Sequence, residues 1–231
     1  MAEIIDYYDL SGNKIGEGDR KSVLKDQESI ARKTLTSDVV SAVLQGQSEI
    51  PDENFAVRSV MMFLFDLQNN MYVVQRSDDK KENPGLMDKS AGGHVVSGDS
   101  YDKTLLKELD EELGVTGVIT ENETDFMNQV KQQNLQKTAV FLKMQEIRNF
   151  ISKRTTLKEG DFWYKLFNVG LYVGFYNGEV VFKDGEAVGE SRMSIQDLKQ
   201  DIGNHPEKYT EDILKIIEQY NILSQVMKVS Q

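Results

Sequence analysis

Residues 93–115 read Gly93-His94-Val95-Val96-Ser97-Gly98-Asp99-Ser100-Tyr101-Asp102-Lys103-Thr104-Leu105-Leu106-Lys107-Glu108-Leu109-Asp110-Glu111-Glu112-Leu113-Gly114-Val115. Leu105, Leu106 and Leu109 supply an apolar stripe at helical spacing, and Gly114 stands just past the last periodic residue, so the stretch predicts a helix over residues 100–113. Residues three and four apart share a helix face, which crowds Glu108, Glu111 and Glu112 on one side. Three carboxylates so close repel one another unless a cation neutralises them. Hard oxygen ligands on a short helix suit magnesium, which keeps some waters and accepts substrate phosphate oxygens as further ligands. The glycines ahead of the helix let backbone approach the cluster closely. An acidic run by itself is usually a solvated helix face. The fixed spacing back to Asp99 and Gly93, and the Gly-Val stop, set this one apart.

On either side the chain alternates strand and helix patterns. Residues 4–10 read as a strand closed by Ser11-Gly12-Asn13, and residues 23–44 as one or two amphipathic helices. Residues 56–65 and 71–75 read as a hairpin joined by Asp66-Leu67-Gln68-Asn69-Asn70. Residues 125–154 are polar and read as a helical segment. Residues 162–176 and 179–182 read as strands joined by Asn177-Gly178, a favoured hairpin turn. Helices near 195–202 and 207–227 close the chain. Strands interspersed with helices predict a mixed α/β domain.

Composition narrows the chemistry. The 231 residues are 39% hydrophobic and 28% charged, as in a folded globular chain. There is no cysteine, which removes disulfides, cysteine-based zinc sites and a thiol nucleophile; two histidines are too few for a multi-histidine zinc site. A net charge of −11 disfavours duplex nucleic acid and anionic membranes as partners. No stretch is long and apolar enough to span a bilayer. The opening Met-Ala-Glu-Ile-Ile-Asp is acidic where a signal peptide is basic, so a cytoplasmic location is expected.

The 93–115 pattern resembles the Nudix box, G-x5-E-x7-R-E-U-x-E-E-x-G-U with U aliphatic, over its full 23 residues. Asp99 stands where the box has Glu, and Lys107 where it has Arg. Lys lacks the planar fork that holds a carboxylate with two hydrogen bonds. Upstream, Gln75-Arg76-Ser77-Asp78-Asp79-Lys80-Lys81-Glu82-Asn83-Pro84-Gly85-Leu86-Met87-Asp88-Lys89-Ser90-Ala91-Gly92-Gly93-His94 resembles the isopentenyl-diphosphate isomerase branch of the superfamily. So do the start, Ile5-Asp6-Tyr7-Tyr8-Asp9-Leu10-Ser11-Gly12-Asn13, and a downstream stretch, Asp184-Gly185-Glu186-Ala187-Val188 with Pro206-Glu207-Lys208-Tyr209-Thr210. That branch uses a cysteine where this chain has Gly92, and a downstream Glu-x-Glu pair that residues 168–173 do not offer.

The resemblance implies a Nudix-type α/β/α sandwich with a mixed β-sheet. The helical patterns read above add to it an N-terminal helical segment (residues 1–54) and a helical insertion (123–161), leaving a core at 55–122 and 162–231. The resemblance implies hydrolysis of the diphosphate linkage of a nucleoside diphosphate derivative or related small substrate by magnesium-activated water, with manganese as the alternative ion. By this resemblance Glu108 and Glu112 bind the metal, and Glu111 is a further ligand or the base. The Gly93 carbonyl and Asp99 belong to the metal shell, and Lys107 orients the glutamates. Arg76, Lys80 and Lys81 are candidate phosphate contacts. Glu186 occupies a loop where many Nudix enzymes place a second carboxylate; its plainer reading is an acidic turn. His94 would be a metal ligand in the isomerase; otherwise its ring hydrogen-bonds within the glycine loop. Trp163, Tyr164 and Phe167 read as core, with stacking on a substrate as the alternative. Homodimers are common in the superfamily. An isomerase-like enzyme and a catalytically weak Nudix-fold binding protein are the alternatives.

Overall fold

The structure, a computed structural model, describes residues 2–183, 185–220 and 222. Its elements are β1 (Ile4–Tyr8), β2 (Lys14–Asp19), α1 (Arg20–Thr34), α2 (Ser37–Leu44), β3 (Ala56–Phe65), β4 (Asn70–Arg76), β5 (Met87–Asp88), α3 (Tyr101–Leu113), β6 (Thr116–Thr120), α4 (Glu123–Gln132), β7 (Thr138–Thr155), β8 (Phe162–Phe175), β9 (Ala187–Ser194), α5 (Ile195–Asn204) and α6 (Glu211–Gln219). A single 3-10 turn, Pro206–Lys208, precedes α6.

The mixed sheet runs β2-β1-β3-β8-β7-β6. Its centre is β3 beside β8, parallel from Val57 opposite Phe167 to Phe65 opposite Phe175. Both strands are buried on both faces, which explains their nearly continuous apolar runs. Alternate residues divide between two cores. Met61, Phe63, Phe65, Leu171 and Val173 pack with Phe126 of α4 and with Ile213 and Ile216 of α6. Val60, Met62, Leu64 and Tyr172 pack with Leu105, Leu109 and Leu113 of α3. Each of those leucines is at most 1% exposed, and full burial of one stabilises by roughly 1.5–3 kcal/mol. The apolar stripe of α3 thus holds its acidic face at a fixed height over the sheet.

The hairpin expected from residues 56–75 opens at its turn. β3 and β4 pair only through Phe65 and Met71. β4 then departs to pair with β5 and, from Asn70 opposite Ser194 to Arg76 opposite Ala187, with β9. That divergence leaves the cleft described below. The N-terminal helices are present as expected, and α1 is tied down by a buried amide: Gln27 Nε2 donates to the carbonyls of Phe55 and Leu166, each at 2.9 Å. α1 and α2 cover Trp163, Tyr164 and Leu166, so that aromatic end of β8 is core.

Two expectations fail. Residues 123–161 are not a helical insertion. α4 takes only Glu123–Gln132, and the remainder supplies β7, an 18-residue strand that joins β6 to β8 inside the sheet. Register shifts at Lys143/Gln145 and Ile147/Phe150 break its alternation, which hid the period of two. Residues 179–182 do not form a strand with Asn177-Gly178 as turn. The chain crosses to α3, where Val181 N–H donates to the Leu113 carbonyl at 2.9 Å, and the ninth strand is Ala187–Ser194. Of the final helix expected over residues 207–227, the part at 221 and 223–227 lies outside the described residues. No described helix is long and apolar enough to cross a membrane.

Candidate active site

A cleft of about 1010 Å³ opens where β3 and β4 part. One wall is the acidic face of α3. Ser100 caps that helix by accepting from Lys103 N–H at 3.1 Å, and Gly114 ends it at φ 66°, a left-handed conformation suited to glycine. Glu108, Glu111 and Glu112 all line the cleft, as the helical spacing requires. Burial pushes the Glu108 carboxyl up to about 7, with the charge of Glu111 adding and Lys107 opposing. Burial and then the neighbouring Glu108 push Glu112 up to about 8, against a 3.2 Å hydrogen bond donated by Gly92 N–H. Among the described residues no basic side chain forms an ion pair with either. Glu111 is half exposed and pairs instead with Lys107 at 3.4 Å. Burial works to lower the Lys107 ammonium, but Glu108 and Glu111 outweigh it and hold it up.

The glycine loop fits against these acids. A Cβ on Gly92 would strike the Val60 carbonyl, so that position needs glycine for space, and one on Gly93 would lie 2.3 Å from the Glu108 carboxylate and push that side chain aside. The Gly93 carbonyl is committed elsewhere. It accepts from Val60 N–H and from Ser59 Oγ, each at 2.9 Å, which occupies both lone pairs and turns it to β3 instead of a metal shell. Asp99 stands outside the cleft, where its carboxylate takes Lys103 Nζ at 2.5 Å. Neither group faces the glutamates here: the loop turns the Gly93 carbonyl toward the strand and carries Asp99 past the helix start.

The facing wall is basic. Lys80 and Lys81 line it as expected, and Lys80 pairs with Glu186 at 2.5 Å across the mouth. Arg76 also lines it, but its guanidinium serves the 77–86 loop. It donates to the carbonyls of Asn83 and Glu82 at 3.1 and 2.9 Å and pairs with Asp88 at 3.2 Å. Four more cations belong to this wall that the sequence did not single out: Arg20, Lys89, Arg154 and Lys165. Lys165 is 1% exposed in the middle of β8, held by Glu82 at 3.2 Å. Burial, helped by Arg154 and opposed by Glu82, pushes its ammonium down to about 8. Arg154 donates to Asp212 at 3.0 Å, and Lys89 lies 3.3 Å from Asp88. The signal that could have found Lys165 is a lysine inside a largely apolar strand. His94 lies half-buried between the walls, and its Nε2, itself buried, has no hydrogen-bond partner in the loop or elsewhere among the described residues. Burial and the nearby Lys165, Arg20 and Arg154 keep it neutral.

Two half-buried acids with no ion-pair partner among the described residues, an all-oxygen donor set and a glycine whose missing side chain makes their room fit a hard divalent ion. Among the described residues no three acidic or imidazole side chains already converge as a metal site, since Glu111 is drawn to Lys107.

Known proteins give the same picture. The NUDIX domain family model matches residues 56–163. The chain is 32% identical over 92 residues to an uncharacterized Nudix hydrolase of Nostoc sp., covering 39% of this chain and 52% of that one. It is 36% identical over 61 residues to one of Yersinia pestis, covering 26% and 34%; the matches thus span between a third and a half of these relatives. An isopentenyl-diphosphate Delta-isomerase of Serratia proteamaculans is 24% identical over 174 residues, covering 75% of this chain and 82% of the isomerase. A Deinococcus radiodurans crystal structure superposes with a TM-score of 0.59 at 17% identity, over 94% of this chain and 98% of that one. Residues 56–163 are therefore a NUDIX domain.

Proposed function

We propose that the protein is a magnesium-dependent hydrolase of a diphosphate linkage in a small phosphorylated molecule, such as a nucleoside diphosphate derivative. The observation that carries this reading is the pair Glu108 and Glu112, half-buried side by side in the cleft and raised to about 7 and 8 by loss of solvent and mutual repulsion, opposite a wall of cations. Glu108 and Glu112 hold the ion, and Glu111 completes its shell or serves as base. When bound, magnesium would acidify a water and offset charge on the phosphoryl oxygens.

The chain's own groups supply the rest. Lys80 and Lys81 bind phosphate oxygens by charge-assisted hydrogen bonds, Lys80 by exchanging Glu186 for substrate. Lys107 holds Glu111 at the cleft. Water attacks one phosphorus, the bridging P–O bond breaks, and the proton of the water passes to Glu111, the acid of the three that solvent reaches best. The α3 helix is rigid and capped at both ends, so these groups are placed before substrate arrives.

The isomerase likeness covers most of the chain, which favours a second reading. Isomerisation needs a proton donor and acceptor on opposite sides of a carbon skeleton. Gly92 stands where the isomerase branch has its cysteine, and the basic groups around His94 disfavour a second cation there. Hydrolysis needs neither. The test is product release from a panel of diphosphates, isopentenyl diphosphate included, with magnesium, with chelator, and with Glu111→Gln and Glu112→Gln. Metal-dependent release of phosphate or monophosphate that collapses in both variants is expected. Conversion of isopentenyl diphosphate without phosphate release would establish the isomerase instead, and ligand binding without turnover by folded protein a binding module.

A further inference from the structure

The inner end of the basic wall contains more donors than the diphosphate reading uses. Three side chains gather around the Phe167 ring: Arg154 with its guanidinium carbon 5.2 Å from the centroid, Lys165 Nζ at 5.4 Å and the His94 ring at 5.8 Å. They come from β7, β8 and the glycine loop, and all line the cleft with Phe167 itself. Four cations (Arg76, Lys89, Arg154 and Lys165) share three carboxylates (Glu82, Asp88 and Asp212), so this buried network carries excess positive charge. Two of its nitrogens are unsatisfied. Arg154 Nε is 3.7 Å from Glu82, too far for a hydrogen bond, and has no other partner; His94 Nε2 has none. Buried polar atoms are almost always paired; Arg154 Nε can only donate, and His94 Nε2 donates in its Nε2–H tautomer, so two orphans within one cationic cluster point to an absent acceptor. An acceptor that also offsets the excess charge is an anion.

We propose that the Phe167 end of the cleft is a second anion subsite. It takes a phosphate ester or carboxylate that the substrate carries away from the bond being cut, with Lys165, Arg154 and His94 as its donors. The word substrate rests on the hydrolase reading; the subsite itself does not. A substrate with such a group at one end and its diphosphate at Glu108 and Glu112 would span the cleft. A plain prenyl chain would bury an alkane against buried charge, which costs desolvation with nothing gained.

The test is a titration of the full chain with inorganic phosphate, and separately with acetate, in metal-free Tris buffer. It is read at the imidazole nitrogens by NMR. The chain has two histidines, and exposed His205 serves as the internal control. The expected result is a saturable shift of His94 with either anion, none at His205, and at least a tenfold loss of affinity in Lys165→Met. The stronger of the two anions names the chemical group. A His94 signal unmoved by both, or moved equally in Lys165→Met, overturns the subsite. Should Lys165→Met fail to fold, the wild-type titration decides by itself. Because the readout is binding without metal, absence of turnover on the diphosphate panel would sink the hydrolase reading and leave the subsite standing, and the reverse also holds.

Discussion

The two walls of the cleft are built in opposite ways. The acidic wall is local: Glu108, Glu111 and Glu112 lie within five residues on one capped helix. The basic wall is assembled from α1, the loop after β4, the segment after β5, β7 and β8, with Arg20 and Lys165 separated by most of the chain. Among the described residues Glu108 and Glu112 have no ion-pair partner and Glu111 has only its helix neighbour Lys107, whereas the bases are nearly all paired with distant carboxylates. A local cluster of like charge stores repulsion that a ligand cation relieves. A dispersed, paired cluster costs little by itself and yields its partners to an anion. The difference predicts that the acidic wall governs turnover, and the basic wall governs affinity and the identity of the substrate.

The strongest way to break this contrast is Glu112→Gln. Turnover with magnesium should fall by about 10²–10³-fold, the scale of losing one electrostatic group at a reacting centre. Yet above pH 8, where Glu112 is ionised, the metal-free protein should melt at a higher temperature than wild type, because the neutral amide keeps the Gly92 hydrogen bond and removes a charge beside Glu108. Calorimetry in chelator, with turnover in parallel, checks both signs; a variant both inactive and less stable would show that the acids are structural.

Gly93→Ala ranks next. Its Cβ would displace the Glu108 carboxylate, and a displacement near 1 Å costs about 10²-fold in a well-placed site. Turnover should drop on that scale at unchanged secondary structure, measured by kinetics and far-UV circular dichroism. Activity within threefold of wild type would mean that Glu108 is not held where it acts.

The walls should also carry opposite pH signatures. Glu112 is raised from 4.5 to about 8, so the folded state binds the extra proton between those values and metal-free stability should fall as pH rises through that window. Lys165 is lowered from 10.5 to about 8, so between about 8 and 10.5 the unfolded state binds the extra proton and stability should rise with pH. These two groups together place a shallow minimum near pH 8 in denaturant midpoints. Glu112→Gln should flatten the lower limb and Lys165→Met the upper one. Limbs unchanged in both variants would remove the assigned groups from the account.

The same contrast decides what could be read from sequence. The α3 wall was legible because its spacing, apolar stripe and glycine stop all lie within 23 residues, and helical geometry converts spacing into a face. The central strands β3 and β8 were legible as apolar runs. β7 was not: two register shifts and the exposed polar side chains near Glu146 scramble its period of two, and only pairing with distant β8 makes it a strand. Asn177-Gly178 carries a strong turn signal, but tertiary packing used it to route the chain to α3. Arg154 and Lys165 were not singled out, because their carboxylate partners Asp212 and Glu82 lie 58 or more residues away.

The smallest expected effect is the sharpest test of where the acidic wall ends. The Nudix box places a carboxylate at position 99, yet Asp99 faces away from the cleft and holds Lys103, a side chain 69% exposed. An ion pair with so exposed a partner contributes about 0–1 kcal/mol. Asp99→Asn removes its charge and keeps its shape. If the wall consists of Glu108, Glu111 and Glu112, turnover and its magnesium dependence should stay within about twofold of wild type. The folding free energy should shift by no more than about 0.5 kcal/mol, measured by denaturant titration beside a magnesium titration of rate. A rise in the magnesium concentration needed for half-maximal rate, with stability unchanged, would mean that the loop before α3 swings Asp99 inward when the ion binds. The acidic wall would then be built from two segments, as the basic wall is, and the contrast between them would be one of degree.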